Sequence, residues 1–191
     1  IHQAHKGGFF QAGQMNRTYF LNVVGRINPD RDLFKLLETN EYFKGTPQSV
    51  NTVFQNDFEQ DTAYCSTAWP SGGKATCLNG ENQFFGPITL LVTANCAPWI
   101  RVEADFLVQS REWDVWKYAQ WIVQFYQGEK AIKTNLIRIQ RHLPVDQVST
   151  HLFFDVRVPS EPYDRCTMSI WNAESPQTLL MDNLKVSCFE D

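Results

Sequence analysis

The chain closes on LLMDNLKVSCFED (residues 179–191), and how this stretch is read decides the fold. Its alternation is that of a β-strand, with Leu180, Asp182, Leu184 and Val186 on one face and Met181, Asn183 and Lys185 on the other. Asp182 then falls among apolar side chains, where an unpaired carboxylate is costly. Arg157, Arg165 and Lys74 are candidate partners for it, and capping a turn would serve as well.

Upstream, the same kind of pattern repeats. VFQNDFE is followed by the turn-rich WPSGGK and by ATCLNG, then by PITLLVTANC and WIRVEADFLVQ. In the last of these Ile100, Val102, Ala104 and Phe106 alternate with Arg101, Glu103, Asp105 and Leu107. WIVQFYQGEKAIKTNLIRI reads as a hairpin turning at QGEK. HLFFDVRVP turns Leu152, Phe154, Val156 and Val158 inward, and CTMSIW and the closing stretch complete the set. Short strands at regular intervals, with no helix long enough for a crossover, predict an antiparallel β-sandwich or jelly roll.

Residues 1–50 differ in character. TYFLNVVGRI suits a strand, and NPDRDLFKLLETNEYFKG suits a helix over about 29–44. Asn28 or Asp30 can cap that helix, Leu33, Leu36 and Leu37 form its apolar stripe, and Gly45 suits its exit. GTPQSVN follows as a linker. The expected organisation is an N-terminal extension over 1–50 and one β domain over 51–191.

Composition narrows the function classes. Of 191 residues, 43% are hydrophobic and 20% charged, as in a folded domain, and the net charge is −4. No basic tract is interleaved with aromatics, so a nucleic-acid partner is not expected. No apolar run reaches membrane-spanning length, so this segment is not expected to insert into a membrane. A chain beginning at Ile1 is expected to be a mature or excised piece of a larger protein. Cys65, Cys77, Cys96, Cys166 and Cys188 form no C-x-x-C pair, and no histidines stand at zinc spacing beside them. They suit disulfides or buried thiols, with one left over. An extracytoplasmic location (periplasmic, cell surface or secreted) is the expectation.

Three motifs stand in order along the β region: DFE (Asp57 to Glu59), SGGKA (Ser71 to Ala75) and MDNLKV (Met181 to Val186). This order resembles the galactose-binding-like jelly-roll modules, in particular the carbohydrate-binding modules of families four and twenty-two. The resemblance covers about residues 52–189 and implies a structural calcium ion joining the two ends of the domain. By that resemblance Glu59 and Asp182 supply carboxylates, a carbonyl near Lys74 contributes, and a carbonyl of Asp57 adds another ligand. Asn183 stands where a second aspartate is often found, which removes one charge. The resemblance also implies that Cys77 and Cys188 lie close together.

Such modules present aromatic rings to sugar faces and surround them with hydrogen-bonding groups. Trp121 and Trp171 are expected in the core; Trp113, Trp116 and Tyr118 are candidate ligand-binding residues, and Trp69 and Trp99 stand at turns or strand starts. A second candidate surface is the outward face of the middle strands. It would carry Arg101, Glu103 and Asp105, then Gln120 and Gln124, Lys133 and Asn135, and His151, Asp155 and Arg157. Either a glycan-binding face or an ordinary solvated sheet satisfies that alternation. Glu103 and Asp105 raise the alternative of a β-sandwich glycoside hydrolase, which needs two carboxylates about 5–9.5 Å apart. No G-x-S-x-G or H-E-x-x-H motif occurs, and no catalytic residue is assigned. The expected function is a non-catalytic carbohydrate-binding-like module of a secreted or envelope protein. A structural accessory domain packing on neighbouring domains is the rival.

Overall fold

The closing strand does not keep its alternation, and the departure organises the domain. The computed structural model describes residues 49–60, 64–92, 98–110, 112, 114–143 and 145–190. The strand over 18–27, the helix over about 29–44, Cys96 and Trp113 lie outside the described residues.

Ten strands occur among the described residues: β1 (Ser49–Asn56), β2 (Ser66–Ala68), β3 (Lys74–Leu78), β4 (Phe84–Leu90) and β5 (Trp99–Val108) come first. They are followed by β6 (Gln120–Gln127), β7 (Lys130–Arg138), β8 (Thr150–Arg157), β9 (Arg165–Trp171) and β10 (Leu179–Glu190). β1 starts inside the polar stretch read as a linker. Every pairing is antiparallel. The first sheet runs β2-β3-β10-β5-β8, with β1 also on β10; the second runs β4-β9-β6-β7. The two enclose one core, in a β-sandwich of jelly-roll type. No helix among the described residues is long and apolar enough to cross a membrane, which says nothing of a β-barrel.

β5, β6 and β8 obey the expected alternation. Ile100, Val102, Ala104 and Phe106, then Trp121, Val123 and Phe125, then Leu152, Phe154 and Val156 all enter the core. Trp121 lies edge-on to both Phe106 and Phe154, at 5.0 and 5.3 Å, which stitches the two sheets together.

In β10, Asp182 pairs with Asp105 and Lys185 with Glu103, so Asn183 and Leu184 together face one residue of β5. This is a β-bulge, with Asn183 at φ 51. One extra residue shifts the phase. Leu179 and Met181 face the core before the bulge, and Leu184, Val186 and Cys188 face it afterwards. Asp182 therefore does not share a face with Leu184 and Val186; it lies on the outer face of the first sheet. Leu180, also outward, packs in a second cluster with Trp69, Ala75, Cys77 and Leu107.

Cys77 is bonded to Cys65, not to Cys188, which is itself disulfide-bonded. The reason is register: Cys77 pairs with Leu180, far along β10 from Cys188. Cys166 is free and buried, and burial pushes its thiol up to about 12.

Candidate functional site

Along one edge of β10 the partner changes. β3 covers Leu179 to Met181, and β1 covers Leu184 to Glu190. The bulge lies at that change, so the end of β1, the start of β3 and Asp182 converge there. Glu59 folds onto the SGGK turn, where its Oε1 accepts from the Lys74 backbone N–H at 2.9 Å. Gly73, at φ 87, admits this approach; a Cβ there would run into Glu59 Oε1. Phe58 fills the core beneath, edge-on to Phe85 at 5.7 Å. Asp182 is buried and accepts from the Asn183 N–H at 2.7 Å. Burial raises its carboxyl above the ordinary 3.8, and the charges of Asp105, Glu59 and Asp57 push the same way. The four residues expected around calcium are thus drawn to one junction of strands. Among the described residues no three histidine, cysteine, aspartate or glutamate side chains group closely enough to hold a metal ion alone. The donor set suits calcium only with main-chain carbonyls added, which that ion accepts.

The polar face expected from the middle strands is not one surface. β5 and β8 belong to the first sheet, β6 and β7 to the second, so their outer faces point in opposite directions. Lys133 and Asn135 also turn inward, because β7 carries a register shift opposite Phe125 and Tyr126. They pair with Phe125 and Val123, Asn135 is buried, and Lys133 donates to the Arg157 carbonyl at 2.8 Å.

On the first sheet, Arg101 donates to Asp155 through Nε and Nη2 at 2.8 and 2.9 Å. Its guanidinium lies 3.9 Å from the centroid of the Phe153 ring and 5.3 Å from that of Phe189. Breaking so buried a pair costs about 3–5 kcal/mol, which makes it a structural element. Arg157 lies 6.0 Å from the centroid of the Trp99 ring, itself near-parallel to Phe189. Beyond them, His151 bridges Asp105 at 2.9 Å and Glu103 at 3.6 Å, Lys185 bonds Glu103 at 3.0 Å, and Asn183 Nδ2 donates to Asp105. His151, with Lys185 beside it, holds Glu103 down at about 2 despite its burial. A hydrolase's general acid needs the opposite shift.

The outer face of the second sheet is different. Phe84 pairs with Trp171, Trp171 with Gln120, and Gln120 with Arg138, so four side chains form a row across all four strands. At strand spacing the row is about 14 Å wide. Phe84 is 65% exposed and near-parallel to Trp171, with ring centroids 6.3 Å apart. Trp171 is half-buried, not a core residue: Cys166, Met168 and Ile170 take the inward positions of β9. At the other end Trp116, 74% exposed, lies 5.5 Å from the Arg138 guanidinium, which also donates to the Val115 and Trp116 carbonyls at 3.0 Å. Tyr118 is half-buried two residues on. Further along the face, Gln124 donates to Thr134 Oγ1 and accepts from Tyr126 Oη.

Phe84 and Trp171 are the functional candidates that pattern reading missed. The alternation of CTMSIW already puts Trp171 opposite Ile170, and the FF doublet before Gly86-Pro87 puts one ring in and one out.

No family model matches the chain, and no curated protein matches it. The chain is similar to carbohydrate-binding modules. Against the CBM22-1 xylan-binding domain from Paenibacillus barcinonensis it is 10% identical, with a TM-score of 0.46, over 76% of this chain and 99% of that one. Against a carbohydrate-binding module from Cellvibrio mixtus lichenase 5A in complex with cellotriose it is 12% identical, with a TM-score of 0.33, over 76% and 100%. Against the CBM22-1 and GH10 modules of a Clostridium thermocellum xylanase complexed with xylohexaose it is 10% identical, with a TM-score of 0.40, over 72% and 28%.

Proposed function

We propose that this protein is a non-catalytic glycan-binding module, and that its binding face is the outer surface of the second sheet. The observation that carries this reading is the row Phe84, Trp171, Gln120 and Arg138 with Trp116 at its end. Exposed rings supply flat apolar area for the C–H faces of sugars, and the amide and guanidinium between them supply hydrogen bonds to hydroxyls. Glu103, Asp105 and Arg157 lie on the other sheet and Asn135 faces the core, so the row does without them.

The site of action is extracytoplasmic in this reading, as part of a secreted or envelope protein. The Cys65–Cys77 disulfide and the bonded Cys188 support it, since such bonds persist in oxidising compartments. A calcium ion at Glu59, Asp57, Asp182 and the carbonyls near Lys74 would serve as a staple, neutralising carboxylates that otherwise repel.

A broad glycan array probed with the full chain tests the proposal. Retention of at least one glycan class is expected, with weaker retention in Trp116→Ala and Phe84→Ala. Both residues are exposed, so neither substitution threatens folding. An array without hits, or hits indifferent to both substitutions, would overturn it. In that case the same rings become a docking patch for a protein partner, as the accessory-domain alternative requires.

A further inference from the structure

We propose that Glu112 is a positioning residue that fixes the two aromatic ends of the second-sheet row relative to each other; its consequence for binding rests on the glycan reading above. Glu112 is 9% exposed, and both its carboxylate oxygens are engaged. Oε1 accepts from the Asp114 N–H at 3.0 Å, and Oε2 accepts from Ser175 Oγ at 2.7 Å. Each contact begins a path to one end of the row.

In one direction Asp114 Oδ1 accepts from the Trp116 N–H at 2.9 Å and caps the short 3-10 turn Val115–Lys117 that carries the ring. In the other direction Ser175 closes a turn. Its N–H donates to the Asn172 carbonyl at 3.0 Å, and its own carbonyl accepts from Asn172 Nδ2 at 2.9 Å. Asn172, fully buried, follows Trp171 directly and donates its N–H to the Gln83 carbonyl at 2.8 Å, next to Phe84. One carboxylate therefore braces Trp116 on one side and the Trp171–Phe84 pair on the other.

The turn needs a brace. Ala173 and Glu174 are successive non-glycine residues at φ 50 and 60. Left-handed backbone of this kind is unfavourable for residues with a side chain and persists only where its surroundings hold it. A carboxylate suits the task because it only accepts, and the Ser175 hydroxyl that donates to it accepts in turn from the Gln177 N–H at 3.1 Å. Fixing the rings in advance removes ordering costs that binding would otherwise meet.

Fluorine NMR of the full chain labelled with 5-fluorotryptophan tests the brace without any ligand. Glu112→Ala should move or broaden the Trp116 and Trp171 resonances together while the core Trp121 resonance stays in place. Ser175→Ala, which deletes one hydroxyl, should move Trp171 and spare Trp116. Motion of only one ring in Glu112→Ala, or of neither, would overturn the proposal. If Glu112→Ala fails to fold, an unmoved Trp171 resonance in Ser175→Ala overturns it equally. On a glycan that the wild type retains, Glu112→Ala should weaken binding about tenfold, and unchanged affinity would contradict the functional consequence. A wild type that retains no glycan defeats the glycan reading alone, and the fluorine result still decides the brace.

Discussion

At the scale of single residues, two carboxylates of the first sheet's outer face carry opposite shifts and so opposite consequences. Asp182 is raised by burial and by its acidic neighbours, so the folded state binds its proton more tightly than the unfolded chain. Its ionisation therefore lowers stability as pH rises through the folded value. Asp182→Asn should raise the melting temperature in a chelator and abolish any rise on adding calcium; a calcium-dependent rise that survives the substitution would remove Asp182 from the site. Glu103 is held at about 2, so its contribution is present above 4.5 and lost as pH falls toward 2. His151 is raised above 6.5 by Glu103 first and Asp105 second. Its contribution is complete below 6.5 and lost as pH rises through the folded value. His151→Ala should remove that alkaline decline, seen as urea midpoints at about pH 5.5 and about pH 8.5 that no longer diverge. The cluster is partly exposed, so the effect should stay under about 1 kcal/mol.

At the scale of elements, alternation was readable wherever a strand buries one face without interruption. β5, β6 and β8 do so, and their inward residues follow from sequence alone. β10 and β7 do not, because a single inserted residue reverses every side chain after it, and an insertion leaves no mark in composition. Asn183 was the one available hint, since asparagine tolerates the left-handed backbone that a bulge uses. The converging Glu59, Lys74 and Asp182 were legible through motif order, whereas the row of Phe84, Trp171 and Gln120 needed the pairing of strands distant in sequence. Asn183→Val should cost about 1–2 kcal/mol in chemical unfolding, because a β-branched side chain resists positive φ. Asn183→Gly should cost less, losing mainly the bond to Asp105. Equal costs would mean that the left-handed backbone at Asn183 does not set the cost of substitution there.

At the scale of the whole molecule, the two sheets divide the labour. The first holds the chain together with its bulge, the buried Arg101–Asp155 pair and the Cys65–Cys77 bond. Replacing both cysteines of that bond by serine should lower stability by about 2–3 kcal/mol, read as a shifted denaturant midpoint, and leave the second sheet's surface intact. The second sheet presents rings and hydrogen-bonding groups outward and is where the proposed function lies. Isothermal titration of one retained glycan into the wild type, Phe84→Ala and His151→Ala asks directly which sheet binds. Phe84→Ala should weaken binding about three- to tenfold, as loss of one stacked ring does, while His151→Ala should leave it unchanged. Binding that survives Phe84→Ala and falls in His151→Ala would place the site on the first sheet and contradict the account.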